Sequence, residues 1–251
     1  MVTIAVDTSQ PVGSVALARD DVLLGLERFH APSSHLVALG RAVEVLLSGH
    51  GLTPAAVDRL AIVIGPGSFT GLRIGLSFVK GLHAARGAAV VTIDSLRLLA
   101  LPHLGAHARV CTMLDARRGE VYAAVYERAG DAERAANPAA ARELVPPCAR
   151  EPGALLDSLP AAPDAFAGTG SIAHRSLVAA RFPFAAILDD DEGLPPVSYL
   201  AVIAHRLSAL DHAGVRALEP TYVRPSGAER VRLRAHGRRA NGGDGGSGER
   251  P

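Results

Sequence analysis

The residues with the clearest chemical potential form a glycine-rich loop at residues 65–75, which reads GPGSFTGLRIG and is called the glycine loop below. It follows an apolar strand predicted over residues 60–64 and precedes a helix that begins near Leu72. Ser68 or Thr70 can cap that helix, and the unpaired amides of a first helical turn can bind an anion. The spacing is neither that of a Walker A loop nor that of a dinucleotide fingerprint. Two interpretations stay open, an anion-binding loop and a tight turn that needs glycine for close packing.

A second group of polar side chains surrounds a predicted hairpin turn at residues 115–122, which reads DARRGEVY and is called the cleft hairpin below. Asp115, Arg117, Arg118 and Glu120 cluster there. Arginine side chains can hold phosphate through paired hydrogen bonds. The same residues can equally form local ion pairs on an ordinary surface turn. The sequence therefore leaves both a phosphate contact and a structural turn open.

Metal and redox chemistry have weak support. His103 and His107 have the spacing of two metal ligands on one helix face, but a preceding proline and the intervening Gly105 interrupt such a helix. Cys111 and Cys148 have no second cysteine at metal-site spacing and cannot build a disulfide framework. A reduced, cytosolic protein without its own metal is expected.

Length, composition and charge limit the class of protein and the kind of partner that the sequence allows. The chain has 251 residues, of which 48% are hydrophobic and 20% charged, as in a soluble globular protein of one or two domains. The net charge of +1 gives no global field that favours nucleic acid. Residues 224–251 carry seven arginines against three acidic residues, a net +4, which leaves −3 on residues 1–223. This glycine-rich tail is predicted to be disordered, and its arginines either contact nucleic-acid phosphate or are simply solvated. No basic leader precedes the first strand and no apolar run reaches about 20 residues, which predicts a cytoplasmic protein with no membrane segment.

The apolar pattern predicts the elements that position these residues. In the first half, it predicts strands over residues 2–6, 14–19, 22–29, 60–64 and 90–93 and helices around residues 36–46, 72–86 and 95–101. The order β-β-β-α-β-α-β predicts that the last two of these strands are parallel neighbours. In the second half, it predicts a hairpin of residues 110–115 and 121–127, a strand at 165–167, a turn at 168–171 and helices at 174–181 and 196–214. Residues 129–142 are expected to be irregular.

Four segments together resemble the TsaB family, also called YeaZ. They are residues 4–17 (IAVDTSQPVGSVAL), the glycine loop, the cleft hairpin and residues 220–224 (PTYVR). The resemblance implies an α/β fold of the actin-like/Hsp70-like ATPase (ribonuclease H-like) class, with two tandem domains. The expected domains are residues 1–108 and a reduced second domain at 109–223, followed by the tail at 224–251.

The resemblance also implies a function. TsaB-type subunits help to make N6-threonylcarbamoyladenosine next to the anticodon of tRNA, as a non-catalytic scaffold that forms a heterodimer with the paralogue TsaD and is joined by the ATPase TsaE. ATP or ADP and metal are then expected on the partner subunits, tRNA contact mainly through the complex, and homodimerisation when the chain is alone. In TsaD two histidines bind a metal, and Ser95 and Leu99 occupy the corresponding places here.

The partner surface is predicted on the two main helices of the first half. The helix from Leu72 is apolar on more than one side, so either one side faces a partner or the chain's own fold buries both. The residues assigned to the partner surface are Ser34, Leu36, Val37, Gly40, Leu72, Leu76, Val79 and His83. The residues assigned to the motif loop are Gly65, Gly67, Ser68, Thr70, Gly71 and Arg73.

A nucleotide site is the alternative. The actin-like phosphate loop reads Asp-x-Gly-x-Ser/Thr, whereas this chain has Ser9 in place of the glycine and Pro11 in place of an N–H donor. Asp7 is then either a turn residue or a residual nucleotide or Mg²⁺ contact, and residues 168–171 lie where a second phosphate turn is expected. The possible nucleotide contacts are Asp7, Thr8, Ser9, Gly168 and Gly170. The alternative function is an actin-like ATPase or small-molecule kinase.

Overall fold

The computed structural model describes residues 1–30 and 35–224. The strands in these residues are β1 Val2–Asp7, β2 Val12–Arg19, β3 Val22–His30, β4 Arg59–Val63, β5 Ala89–Ile93, β6 Arg109–Asp115, β7 Val121–Arg128, β8 Ala141–Arg150, β9 Ala165–Ala167 and β10 Ala186–Leu188. The helices are α1 His35–Gly49, α2 Phe69–Arg86, α3 Ser95–Ala100, α4 Asp131–Ala136, α5 Pro152–Asp157, α6 Thr169–Ala173, α7 Arg175–Arg181, α8 Val197–Ile203 and α9 His212–Ala217. Short 3₁₀ turns lie at Pro54–Ala56, Asp190–Gly193 and Ala204–Arg206.

The strands form two five-stranded sheets that repeat one topology. The first sheet has the order β3-β2-β1-β4-β5, and the second has the order β10-β9-β6-β7-β8. In the first sheet, β1 pairs antiparallel with β2 and parallel with β4. In the second sheet, β6 pairs antiparallel with β7 and parallel with β9 in the same way. This order confirms the predicted actin-like, ribonuclease H-like α/β fold, while the domain boundaries stay a prediction.

The first sheet follows directly from its sequence. Every residue of β1 is buried, as expected for a central strand covered on both faces. Helix α2 begins after Ser68, whose Oγ accepts the Gly71 N–H at 3.2 Å. The helix ends at Gly87, which takes a left-handed φ of 71°. β4 and β5 are parallel, as predicted.

A shared core joins the two sheets. Its buried members include Ala5 of the first sheet, Tyr126 of the second sheet, Leu98 of α3 and Leu200 of α8. Helix α8 packs against β1, β2 and β3, so a helix from the end of the chain covers the first sheet. A separate core lies between the first sheet and helices α1 and α2.

The single long helix predicted over residues 196–214 is wrong. Helix α8 ends at Ile203, and the chain is extended again by Leu207. Leu210 then donates its N–H to Val90 O at 2.8 Å, which extends the edge of the first sheet before α9 begins. The Arg59 guanidinium donates to the carbonyl oxygens of Ala204 (2.7 Å) and Leu207 (2.6 Å), so a tertiary contact satisfies the broken helix end.

Residues 129–142 are also more regular than expected, since they contain α4 and the first residues of β8. In the described part of the chain, the helices are either too short or too polar to cross a lipid bilayer.

Candidate functional site

The glycines of the glycine loop pack against the turn that follows β1. A Cβ atom on Gly67 would lie 2.3 Å from the carbonyl oxygen of Ser9, and one on Gly71 would lie 2.0 Å from that of Thr8. One helical turn later, a Cβ on Gly75 would lie 2.3 Å from Thr8 Oγ1. No side chain fits at such distances, so the chain itself covers these three glycines. The geometry favours close packing over an open anion-binding loop.

Hydrogen bonds hold this contact in register. The Ser68 N–H donates to Ser9 O at 2.7 Å, and Thr8 Oγ1 donates to Gly71 O at 2.8 Å. Gly65 has a φ of 107°, a conformation that favours glycine. The turn after β1 and the start of α2 therefore form one rigid unit.

The second sheet repeats this arrangement. Gly168 has a φ of 109°, and a Cβ there would lie 2.2 Å from Met113 O in β6. A Cβ on Gly170 would lie 3.0 Å from the same carbonyl oxygen. By topology, the turn at Gly168 is the counterpart of the glycine loop, and the cleft hairpin is the counterpart of the turn after β1. This corrects the predicted position of residues 168–171, because the turn that corresponds to the one after β1, where the actin-like phosphate loop is expected, is the cleft hairpin.

A cleft of about 770 Å³ separates the turn after β1 from the cleft hairpin. Its lining includes Ser9, Gln10, Ser68, Phe69, Arg117 and Thr169. Of the five predicted nucleotide contacts, Ser9 lines the cleft, whereas Asp7, Thr8, Gly168 and Gly170 are buried behind it. Arg117 and Arg118 are exposed and take left-handed φ values of 59° and 57°, an uncommon conformation for residues other than glycine. Four of the five predicted nucleotide contacts are therefore buried and do not line the cleft.

The Asp7 carboxyl group lies in that interior. Its Oδ1 accepts the Ser9 N–H at 2.7 Å, as in an Asx turn. Burial raises the pKa of Asp7 to about 6, although the hydrogen bonds from Ser9 lower it in part. The interpretation of Asp7 as a turn residue is the one that the structure supports.

Asp7→Asn is expected to stabilise the chain above pH 6. The pKa of Asp7 lies near 6 in the folded chain and near 3.8 when it is exposed, so the folded chain holds a proton that the unfolded chain releases. The associated stability is complete below pH 3.8 and is lost as the pH rises to about 6. Asparagine keeps the Oδ1 acceptor without the charge and should recover up to about 3 kcal/mol. The measurement is urea unfolding of both proteins from pH 4 to pH 8.

The matched control is Asp21→Asn on the exposed turn between β2 and β3. A stability difference between Asp7→Asn and the natural chain that stays flat across this pH range would contradict the assignment.

Helices α1 and α2 expose an apolar surface beside the cleft. Val37 is 70% exposed and Leu36 is 53% exposed, although both are aliphatic residues in the first turn of α1. Among the described residues, nothing beyond the helix's own backbone and adjacent residues lies within 4 Å of a Cβ added to Gly40 of α1 or to Gly81 of α2. Glycines at such open positions let a second helix approach closely. We call residues 36, 37, 40, 69, 74 and 77 the docking surface.

A groove of about 410 Å³ lies within this surface. It is lined by Leu36, Phe69, Thr70, Arg73, Ile74 and Ser77. It therefore joins the first turn of α1 to the first two turns of α2. Phe69 and Ile74 belong to the docking surface but not to the predicted partner residues. The position of Ile74 between the buried Leu72 and Gly75 is a signal that could have found it.

Three predicted partner residues are buried and therefore not on this surface. Leu72, Leu76 and Val79 are 1%, 7% and 0% exposed, and Leu76 and Val79 belong to the core between α2 and the first sheet. This corrects the sequence-based assignment, because apolar periodicity does not distinguish a side that meets the sheet from one that meets a partner. Ser34 lies outside the described residues.

His83 is engaged within the chain. Its Nδ1 lies 2.8 Å from Ala88 O, and its Nε2 lies 3.0 Å from Nδ1 of His212 in α9. Lys80 Nζ also donates to Arg216 O at 2.9 Å. The last turns of α2 thus bind α9, and the free part of the helix is its first half.

The comparisons with known proteins fit this geometry. Residues 30–230 match the protein-family model described as "TsaD: tRNA N6-adenosine threonylcarbamoyltransferase". The chain belongs to this family. A Bacillus subtilis relative named "tRNA threonylcarbamoyladenosine biosynthesis protein TsaB" is 31% identical over 127 residues, or 51% of this chain and 56% of that protein. A Haemophilus influenzae relative of the same name is 28% identical over 234 residues, or 88% of this chain and 92% of that protein.

A solved structure extends the similarity to the whole fold. YeaZ from Pseudomonas aeruginosa superposes with a TM-score of 0.67 and 26% identity, over 88% of this chain and 99% of that one. These relatives confirm the TsaB (YeaZ) resemblance within the TsaD family. The matches to the first curated relatives span little more than half of their lengths, 56% and 54%.

Ser95 and Leu99 occupy the positions predicted to correspond to the metal-binding histidines of TsaD. Ser95 is buried and donates its N–H to Gly65 O at 2.8 Å, and Leu99 is buried in the shared core. Nδ1 of His103 lies 3.8 Å from Oδ2 of Asp190. Among residues 1–30 and 35–224, no three His, Cys, Asp or Glu side chains converge as metal ligands.

Proposed function

We propose that this chain is a non-catalytic scaffold subunit of a complex that transfers a threonylcarbamoyl group to the adenosine next to the anticodon of tRNA. The partner is a TsaD paralogue, which binds at the docking surface to form a heterodimer. The ATPase TsaE joins the pair, and the same surface supports a homodimer when the chain is alone. ATP or ADP and metal belong to the partner subunits, and tRNA binds mainly through the assembled complex.

The observation that carries the proposal is the exposed apolar surface on α1 and α2. Val37, Leu36 and Phe69 expose 70%, 53% and 40% of their areas. Leu36 and Phe69 line one groove, and Val37 follows Leu36 in the first turn of α1. Aliphatic and aromatic side chains grouped in this way gain free energy when a partner covers them. The names of the TsaB relatives supply the pathway, and the TsaD family match supports a partner that shares this fold.

The alternative is an actin-like ATPase or small-molecule kinase. The cleft is large enough for a ligand, but the geometry of the chain gives this alternative little support. Ser9 and Thr8 cover Gly67 and Gly71, so these glycines cannot bring phosphate close to the backbone. Asp7 is buried under its own turn and does not line the cleft. A residue that must hold Mg²⁺ and phosphate would need access to the cleft.

Reconstitution separates the two functions. The chain is mixed with the TsaD paralogue, TsaE, tRNA and a threonylcarbamoyl donor, and modified adenosine is measured with and without the chain. We expect modification to depend on the chain, and we expect the isolated chain to show no Mg²⁺-dependent ATP turnover above the level of Asp7→Ala. Modification at full rate without the chain would contradict the scaffold function. ATP turnover by the isolated chain that Asp7→Ala abolishes would favour the ATPase or kinase alternative.

A further inference from the structure

Residues 220–224, here called the C-terminal strap, run from the glycine loop to the cleft hairpin. At the first end, the Thr221 N–H donates to Ile64 O at 2.8 Å, directly before the glycine loop. A Cβ on Gly65 would lie 2.9 Å from Thr221 O, so the two backbones touch. The strap is thus fixed to the first sheet beside the start of α2.

The middle of the strap extends the docking surface. The ring of Tyr222 stacks on that of Phe69, with centroids 5.2 Å apart and planes inclined by 29°. Arg73 Nε donates to Tyr222 Oη at 3.0 Å, and its guanidinium carbon lies 3.9 Å from the centroid of the Phe69 ring. Phe69 and Tyr222 remain 40% and 39% exposed. Aromatic residues and arginine are the side chains most enriched at the energetic centres of interfaces.

The far end of the strap is fixed to the second sheet. The Arg224 guanidinium forms an ion pair with Glu120 and donates to Ala116 O at 3.4 Å. It also lies 5.9 Å from the centroid of the Tyr122 ring, which lines the cleft. The Arg224 side chain is 14% exposed and that of Glu120 is 39% exposed, so the guanidinium is the buried partner of the pair. Removing the Glu120 charge leaves this mostly buried cation without its ion-pair partner, which costs more than breaking a fully exposed pair.

We propose that Tyr222 is part of the partner-binding surface and that the Arg224–Glu120 ion pair holds it ready for docking. This inference rests on the proposed function. With the strap tied at both ends, the stack of Phe69, Arg73 and Tyr222 is ordered before the partner arrives. If the far end is released, these side chains must be immobilised on docking, which lowers the affinity. A residue of the cleft hairpin thereby controls binding at helices α1 and α2.

The test compares the affinities of full-length variants for the TsaD paralogue by titration calorimetry. Tyr222→Ala is expected to bind about ten-fold more weakly, because it loses a contact residue. Glu120→Gln is expected to bind about five-fold more weakly, although residue 120 lies outside the docking surface. The matched control is Arg142→Gln, which breaks the exposed ion pair between β8 and Glu127 and should bind normally.

Hydrogen exchange of the free chain gives a second readout. In Glu120→Gln, the amides of residues 69–73 should exchange faster than in the natural chain and in Arg142→Gln. Normal affinity and normal exchange of Glu120→Gln would overturn the strap proposal. If Val37→Glu also pairs normally, the docking surface itself is wrong, whereas weakened pairing of Val37→Glu confines the failure to the strap.

Discussion

Gly71→Ala is expected to destabilise the chain by about 3 kcal/mol, a large effect for one methyl group. The new Cβ would lie 2.0 Å from the backbone oxygen of Thr8, and backbone atoms between β1 and β2 cannot move aside as a flexible side chain can. Gly81→Ala is the matched control on the same helix, because its Cβ lies more than 4 Å from every described atom outside the adjacent helix backbone. It is expected to stabilise the chain by up to about 1 kcal/mol through helix propensity alone. Urea unfolding of both variants measures the difference.

This pair of variants decides what the glycine loop does. If the glycines serve packing, Gly71→Ala loses stability and Gly81→Ala does not. If the glycine loop instead opens to phosphate, Gly71→Ala should keep its stability and lose only ligand binding. Equal stability of the two variants would contradict the packing described here.

Val37→Glu is expected to weaken pairing with the TsaD paralogue by about 100-fold or more. The side chain is 70% exposed in the free chain, so the charge costs nothing there, but a partner helix would bury it without a counter-charge. Ile74→Glu in the adjacent groove should also weaken pairing, although Ile74 is half-buried in the free chain. The measurement is the dissociation constant by calorimetry, with the melting temperature of each variant as a check on folding.

Phe184→Glu is the control for a general effect of surface charge, since Phe184 is fully exposed between α7 and β10. It should pair normally. Leu76→Glu cannot serve as an interface test, because Leu76 is only 7% exposed and its replacement is expected to unfold the first sheet. Normal pairing of both Val37→Glu and Ile74→Glu would contradict the docking surface.

The first sheet and its helices could be predicted because residues close in sequence mark where these elements begin and end. Gly87 ends α2 with a left-handed residue, and Ser68 begins it as a cap. The second half offers weaker signals. β8 contains Pro146 and Pro147, and prolines argue against a strand in a sequence. The sheet tolerates them because β8 is an edge strand, where the missing N–H donors are not needed for pairing.

Tertiary contacts explain why the helix predicted over residues 196–214 is broken. Residues 196–214 have helical periodicity, yet the edge of β5 captures Leu210 and the Arg59 guanidinium satisfies the carbonyl groups that the helix would have used. Neither partner is near in sequence, so local propensity could not reveal the break.

The candidate site shows the same limit. The glycine loop and the cleft hairpin were identified by their residue types, and the structure brings both to the cleft. The partner surface was predicted on α1 and α2, and both helices do expose apolar residues, but Leu72, Leu76 and Val79 face the chain's own core. Apolar spacing identifies buried sides and leaves open what buries them. The strap could not be foreseen, because its contacts join residues more than a hundred positions apart.

The most direct test of the scaffold assignment is hydrogen exchange of the chain with and without the TsaD paralogue. We predict that the partner slows exchange in the first turns of α1 and α2 and in the C-terminal strap, and leaves β9 and β10 unchanged. Protection confined to the cleft hairpin and the second sheet, with α1 and α2 exchanging as in the free chain, would contradict the account.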